Sequence, residues 1–278
     1  KGTVDKFDVP DYSQDNLSIC REALLEAVAE TSEEFMDRYF EGDEFSDDEI
    51  RQALRVSVCD GSIVPVLMGS NILARGMYTL MADIIKYFPS PDRCKCAGIN
   101  TTNNEVFEAD YDFSKSKSAY IFKTIVDPYI GKYSLIKVRS GVIKPDDVMF
   151  IAGKDTEVKL GKLYVLQGNK ATEVSELHAG DLGALQKLDI ATGDTLSTKA
   201  NPVTYAKMDI STPYTDMRYH AQNKGDIDKI AQSLAKLAAE DQTLKVVNDA
   251  ENRQTLLYGM GDMHLEVIQS KLSNIYKV

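Results

Sequence analysis

The spacing of apolar and polar residues changes twice along the chain. Residues 15–60 carry apolar side chains at intervals of three and four, which predicts amphipathic helices. Residues 118–205 carry short β-branched and aromatic runs between glycines, which predicts a small antiparallel β-barrel that closes without a long free edge. Residues 206–278 alternate in the order β-α-β-β-α, which predicts a split β-α-β, ferredoxin-like domain without its final strand.

Capping signals mark the helix starts of the first region. Asp15 or Asn16 is expected to cap the first helix, because short polar side chains accept the free backbone N–H groups there. Residues 31–34 and 46–49 each place a hydroxyl and a carboxylate three positions apart, which predicts two capping boxes. Gly61 is expected to end this helical region.

A continuous apolar run follows the helices. Ile63 to Met68 is predicted as a strand buried on both faces, as in a parallel sheet. The next helix has one apolar face, formed by Met77, Leu80, Met81, Ile84, Ile85 and Phe88. Strand and helix together make one β-α unit of a doubly wound sheet. Because one strand cannot form a sheet, the sequence is expected to begin partway through a domain.

These patterns predict a multi-domain protein of α/β, all-β and α+β parts. The predicted segments are the C-terminal part of an α/β domain with a helical insertion (1–91), a polar linker (92–117), the β-barrel (118–205) and the incomplete ferredoxin-like domain (206–278). In the last segment, strands are expected at 208–211, 244–247 and 255–258, and Asp226 and Asp262 are expected to cap the two helices. A missing fourth strand predicts that this domain is the least stable part of the chain.

The composition is that of an ordinary globular protein. Hydrophobic residues make up 43% and charged residues 27% of the sequence. The longest apolar run, at residues 63–68, is too short to span a bilayer, so no membrane partner is expected. Four scattered cysteines suggest a reducing cytoplasm rather than a disulfide framework. Cys94 and Cys96 lack the second ligand pair of a zinc site, so no metal site is predicted.

The net charge of −11 is divided unevenly. Residues 1–90 hold 8 Lys and Arg against 18 Asp and Glu, and the rest of the chain holds 24 against 25. Nucleic-acid phosphates would be repelled by the acidic first third, so any RNA contact is expected in the later two thirds, and none with DNA is expected. Lys137, Arg139 and Lys144 can place positive charge on the barrel for phosphate contact, although a solvated barrel face explains them equally well.

Two short segments offer candidate ligand chemistry, and no catalytic constellation is evident. Gly69 and Ser70 can present backbone amides to a ligand at the end of a strand, but a plain strand-to-helix connection fits the spacing better. The segment 223–226 reads Asn-Lys-Gly-Asp, a pattern that grips guanine in GTPases. Asp226 precedes a helix, however, and capping is the better interpretation.

Two further segments carry a family resemblance. Residues 259–266 read Gly-Met-Gly-Asp-Met-His-Leu-Glu, and residues 191–196 read Ala-Thr-Gly-Asp-Thr-Leu. In this order and spacing they closely resemble the middle of translation elongation factor G, the ribosomal translocase GTPase. Collinear runs extend the resemblance over essentially the whole chain, at 33–39, 65–70 and 87–91 for the nucleotide domain, at 122–129 and 138–144 for the barrel, and at 237–241 and 254–257 for the third domain.

The resemblance implies a cytoplasmic parent GTPase that binds the ribosome and drives the movement of tRNA and mRNA. It implies GTP and Mg²⁺ as cofactors of that full-length parent. Gly69, Ser70 and Asn71 would lie in the loop that touches the guanine base. The barrel would contact small-subunit ribosomal RNA, and the third domain would relay the nucleotide state toward the ribosome.

The sequence contains no Gly-x-x-x-x-Gly-Lys-Ser/Thr phosphate loop. The chain is therefore expected to be a central fragment that is inactive and holds no cofactor alone. Asn71 stands where the family usually has alanine, which fits a divergent paralogue. Two alternatives remain: a ribosome-protection GTPase of the tetracycline-resistance type, which usually lacks the insertion at 15–60, and a non-enzymatic RNA-binding barrel module, which the β-α unit disfavours.

Overall fold

The computed structural model describes residues 8–93, 96–127, 131–168, 170–221, 223–249, 251–252 and 254–278. The chain divides into two compact units, Lys1–Ser90 and Pro91–Val278. Within the described ranges, no helix is long and apolar enough to cross a membrane.

The first unit is helical. Its α-helices are α1 (Gln14–Ala29), α2 (Glu33–Glu41), α3 (Asp47–Asp60) and α4 (Met77–Tyr87). The predicted capping box of α3 is confirmed, because Ser46 Oγ accepts the N–H of Glu49 while the Glu49 carboxylate accepts the N–H of Ser46. Gly42 and Gly61 follow α2 and α3 in the left-handed conformation, which ends both helices.

The first two helices begin at other residues than predicted. Ser13 occupies the capping position of α1, ahead of the predicted Asp15 or Asn16. Ser32 caps α2, because its backbone is extended and its Oγ accepts a backbone N–H of the first turn at 3.1 Å. Thr31 therefore forms no capping box, and its hydroxyl donates to a carbonyl of α1 instead.

The strand predicted at residues 63–68 does not form. None of these residues pairs with a strand in the described part of the chain, and Val64, Val66 and Met68 are 76%, 84% and 92% exposed. An apolar strand needs neighbours that bond its backbone and cover its side chains, and the described residues of the first unit supply none. The helix α4 forms as predicted, but its apolar face is also exposed.

The second unit begins with antiparallel strands. They are β1 (Ala97–Asn100), β2 (Val106–Glu108), β3 (Ser118–Asp127), β4 (Gly131–Ser140), β5 (Val142–Ile143), β6 (Val148–Ile151), β7 (Thr156–Lys159), β8 (Leu163–Gln167), β9 (Lys170–Val174), β10 (Leu177–His178), β11 (Leu182–Gln186), β12 (Thr195–Leu196) and β13 (Val203–Thr204). Six of them form a sheet in the order β12-β3-β4-β11-β8-β9, and β5 pairs with β10 and β6 with β7. The sheet surrounds buried aliphatic residues that include Ile121, Ile136, Leu163 and Leu185, which confirms the predicted barrel fold.

Two details of the barrel differ from prediction. In the described residues β9 pairs only with β8, so one edge of the sheet stays free. Lys170 and Glu173 are exposed on that strand, and charged side chains at a sheet edge hinder pairing with other chains. The segment 92–117, expected to be an irregular linker, contains the β1–β2 hairpin, and β1 also pairs with β13. The sequence pattern misses these strands because they are only 4 and 3 residues long.

The last part of the chain has the predicted β-α-β-β-α order. Its elements are β14 (Thr215–Tyr219), α5 (Ile227–Glu240), β15 (Lys245–Asp249), β16 (Gln254–Gly259) and α6 (Asp262–Lys271). The sheet order is β14-β16-β15, and the helices contribute Leu234, Leu237, Leu265 and Ile268 to a small core. The first strand lies at 215–219 rather than 208–211, because the later segment pairs with β16 over five positions. Gly261, not the predicted Asp262, precedes α6 in the capping position.

Candidate functional site

The loop expected to touch guanine, Gly69 to Asn71, closes on itself. Ser70 and Arg75 exchange two backbone hydrogen bonds, each 3.1 Å from N to O. Ser70 Oγ accepts the N–H of Leu73 at 3.3 Å, so this hydroxyl oxygen is already engaged. A Cβ at Gly69 would lie 2.7 Å from the carbonyl oxygen of Arg75, which explains glycine at this tight turn. Asn71 is left exposed on the outside of the loop.

Lys137 and Arg139 lie two residues apart on β4 and therefore share a face of the sheet. Both approach one aromatic ring: Lys137 Nζ is 5.2 Å and Arg139 Cζ is 5.8 Å from the ring centroid of Tyr111. Arg139 Nη1 donates to Tyr111 Oη at 2.5 Å, and its guanidinium also lies 5.8 Å from the ring centroid of Tyr205. Two tyrosines thus hold Arg139 by cation–π contacts, whereas Lys137 contacts one.

The charges of Lys137 and Arg139 are not neutralised locally. Neither has a carboxylate oxygen within 4.0 Å in the described residues, and the buried Nε of Arg139 has no hydrogen-bond partner there. Burial raises the pKa of Tyr205 to about 12, so this phenol is neutral at physiological pH. Two cations of the barrel therefore lie together without an anionic partner in the described residues.

Lys144, the third predicted contact, is exposed in the turn after β5. Its Nζ lies 3.4 Å from Glu176 Oε2, and Glu176 Oε1 lies 3.2 Å from His178 Nε2. The hydrogen bond and charge of Lys144 lower the pKa of Glu176, with a smaller effect of His178. The imidazole of His178 in turn lies 5.3 Å from the ring of Phe113, between ring centroids. The charge of Lys144 is therefore balanced by one carboxylate.

One loop contacts two of these cations and the ring of His178. Residues 109–117, which we name the aromatic loop, carry Tyr111 beside Lys137 and Arg139, and carry Phe113 beside the His178 ring. The sequence patterns predict only a polar linker here. The available signal was the pair of aromatic residues two positions apart within a polar stretch, which has no periodicity to interpret.

A second set of contacts joins the two segments that carry the family resemblance. Residues 240–243, which we name the corner, begin at the last residue of α5 and lead toward β15. Gln242 Nε2 donates to the carbonyl oxygen of Thr192 at 3.0 Å, in the Ala-Thr-Gly-Asp segment of the barrel. Asp241 Oδ2 lies 3.1 Å from His264 Nε2, in the Gly-Met-Gly-Asp-Met-His segment. The corner also bonds to β3, because Glu240 Oε1 accepts the N–H of Val126 at 2.5 Å.

His264 is held at both ring nitrogens. Its Nδ1 accepts the N–H of Met260 at 3.1 Å, so in the neutral ring Nε2 carries the proton and donates it to Asp241. Burial alone would raise the pKa of Asp241, but the hydrogen bonds that it accepts from Thr243 and His264 lower it. This geometry is that of a structural histidine, which fixes the turn before α6 against the corner.

The Asn-Lys-Gly-Asp segment lies at the start of α5. Residues 224–226 form a short 3-10 turn, and Asn223 Nδ2 donates to Asp226 Oδ2 at 3.2 Å. Asp226 occupies the capping position of α5, as predicted, but its side chain accepts no backbone N–H of the helix. The segment thus forms the start of a helix, which agrees with the capping interpretation.

The cysteines give no metal site in the part of the chain that the structure describes. Cys96 is buried in the barrel core, and burial raises the pKa of its thiol. Cys94 lies outside the described residues. Among those residues, no group of three or more His, Cys, Asp and Glu side chains is arranged to hold a metal ion.

Two family models match residues of the second unit. Elongation factor G domain 2 matches residues 116–199, and elongation factor G domain III matches residues 210–278. A barrel followed by this β-α-β-β-α domain defines a protein of the translation factor class. The chain belongs to the elongation factor G family.

The fold also resembles a solved structure over nearly its whole length. A crystal structure from Thermus thermophilus is 26% identical in sequence and superimposes with a TM-score of 0.71, covering 96% of this chain. The chain spans 38% of that protein's length.

Proposed function

We propose that this chain is the central part of a ribosome-directed GTPase, and that its parent uses GTP hydrolysis to drive tRNA and mRNA movement in the cytoplasm. The observation that carries the proposal is the succession of the two elongation factor G domains in family order. The three helices α1 to α3 favour this over a ribosome-protection GTPase, which usually lacks such an insertion. The partners are then ribosomal RNA and ribosomal proteins.

In this proposal the chain contributes little to GTP binding. Gly69, Ser70 and Asn71 would touch the guanine base through backbone amides and the exposed Asn71 side chain. The residues present do not fit the phosphates and Mg²⁺, because the sequence has no phosphate loop and phosphoryl transfer requires one together with a magnesium site. Calorimetry with GTP should therefore show no binding at micromolar concentrations, since one or two hydrogen bonds contribute only about 1 kcal/mol each. Sub-micromolar affinity would contradict this expectation.

The barrel is the proposed RNA-binding part. Lys137 has no carboxylate partner in the described residues and is half-buried beside Tyr111, so its charge is available to a phosphate. Arg139 would add a second positive charge, and its position depends on Tyr111 and Tyr205. Substitution of Lys144 should weaken RNA binding less, because Glu176 already balances the charge of this side chain.

Charge reversal on the barrel tests this assignment. Lys137→Glu should weaken binding of the chain to purified ribosomes. It should also reduce the slope of log affinity against log salt concentration by about 1, because each neutralised phosphate releases counterions. Binding is measured by sedimentation at several salt concentrations. Lys162→Glu is the matched control, since Lys162 lies on the barrel at 2.7 Å from Glu173. Equal losses in both variants would mean that general barrel charge, rather than this site, attracts the ribosome.

A further inference from the structure

We propose that Phe113 and His178 form a stacking platform for an unpaired RNA base. The proposal deepens the function above and rests on it: Lys137 and Arg139 would attract the phosphate backbone, and the platform would hold one base. The observation that singles out this pair is an exposed phenylalanine packed at a tilt against an imidazole, on a loop whose Tyr111 contacts two cations.

Phe113 is the most exposed phenylalanine of the described barrel residues. The residue is 60% exposed, whereas Phe107 and Phe122 pack against the core and Phe150 is buried. Leaving a phenylalanine in water forgoes the free energy that burial would provide. The His178 ring lies beside it at 5.3 Å and a tilt of 34°, and 44% of that side chain is exposed. The two rings therefore present aromatic surface to solvent.

The aromatic loop holds this surface rigidly. The carbonyl oxygen of Asp112 accepts the N–H of Gly141 at 2.8 Å, and Asp112 Oδ1 accepts the N–H of Ser114 at 2.7 Å. Asp110 and Tyr111 both adopt the left-handed backbone conformation, with φ of 47° and 54°, which non-glycine residues adopt at an energetic cost. A loop fixed in this way does not have to be ordered when a ligand binds, which lowers the entropic cost of binding.

The surrounding charges favour RNA over an apolar protein partner. Lys137 and Arg139 flank the same loop without a carboxylate partner in the described residues, and the Glu176 carboxylate is matched by Lys144. Polar and charged groups thus border the exposed ring of Phe113 rather than a continuous apolar patch. Aromatic rings beside positive charge are the common means of binding single-stranded nucleic acid, because every base has a stacking face.

The test separates base stacking from phosphate contact. Two fluorescein-labelled RNAs of about 12 nucleotides are compared by fluorescence anisotropy with the whole chain: oligoadenylate, and an abasic strand with the same number of phosphates. We expect oligoadenylate to bind about tenfold more tightly. Phe113→Ala should remove that difference and leave abasic binding unchanged, His178→Ala should reduce it, and Phe113→Trp should preserve it. Val148→Ala is the matched control, because Val148 is an exposed apolar residue on β6.

Each other result contradicts a particular step. Equal affinity of the wild type for both RNAs, or a base preference that survives Phe113→Ala, would overturn the platform. If Lys137→Glu then still weakened both RNAs, the proposed RNA-binding role of the barrel would stand without it. Absence of binding to either RNA would overturn the platform and the RNA-binding role of the barrel together, and would point to a protein partner for this surface.

Discussion

At the residue scale, Arg38 organises the helical unit. Its Nη1 lies 2.7 Å from Glu49 Oε1, and its guanidinium lies 5.8 Å and 5.1 Å from the ring centroids of Phe35 and Phe45. One side chain of α2 thus connects the α2–α3 loop and the first turn of α3. The same Glu49 completes the capping box with Ser46, so one carboxylate serves the helix start and the tertiary contact.

This arrangement predicts a pH dependence. The hydrogen bonds from Arg38 and then Ser46 lower the pKa of Glu49 from 4.5 to about 2. Because the folded pKa is the lower one, ionised Glu49 stabilises the fold above pH 4.5, and this contribution is lost as the pH falls from 4.5 toward 2. Carboxyl carbon titration by NMR should give a midpoint near 2 in the wild type and a higher midpoint in Arg38→Met, still below 4.5 because the hydrogen bonds from Ser46 remain. The exposed Glu22 serves as internal control, and an unshifted Glu49 midpoint in Arg38→Met would exclude the pair as the cause.

At the element scale, the sequence predicts elements whose stability is local. The box at Ser46 and Glu49 gives the start of α3, and β-branched runs between glycines give the main barrel strands. Prediction fails where residues far away in the sequence determine whether a strand forms. Ile63 to Met68 has strand composition but no neighbouring strand in the described residues, while β1 and β2 lack a pattern and form because β13 pairs with β1.

The candidate functional site likewise combines features that the sequence predicts with features that depend on residues distant in sequence. Lys137 and Arg139 could be proposed from charge, and the structure places both on one face of β4. The aromatic loop could not be predicted, because its residues are brought to β4 by the fold rather than by sequence spacing. The role of Arg139 also depends on Tyr111 and Tyr205, which lie 28 and 66 positions away.

The corner is the element that connects the barrel to the third domain. Glu240→Ala removes the carboxylate that accepts the Val126 N–H, so we expect that amide to exchange hydrogen about tenfold faster, in line with the loss of roughly 1–2 kcal/mol of local protection. Hydrogen exchange followed by NMR measures it. The barrel amide of Gly193, which donates to Ile121, should keep its protection. Glu251→Ala, in an exposed turn, is the control; unchanged exchange at Val126 would mean that this bond does not hold the corner.

At the scale of the whole molecule, the parts of the chain differ in how much apolar surface they bury. Among the described residues, the barrel core contains 20 buried residues and the core of the third domain contains 6. In the described helical unit, the buried apolar residues are Val28, Ala29 and Ala53. That unit also exposes large side chains on α4 and at residues 63–73. Burial of apolar surface is the main source of stability, so these parts should open independently and in a definite order.

The sequence pattern alone predicts that residues 206–278 are the least stable part, whereas the structure indicates the helical unit. Hydrogen exchange on the whole chain should find the slowest amides in β3, β4 and β11, intermediate protection in α5 and β16, and the fastest exchange in α1 and α4. Barrel strands gain protection from a core that only opens globally, while the helices of the first unit can open locally at low cost. Met263→Ala is the control, because Met263 is exposed on α6 and contributes to no core. This variant should leave the order of exchange rates unchanged. Slower exchange in α4 than in α5 would show that the exposed apolar face is covered in solution, by self-association if the protection rises with protein concentration.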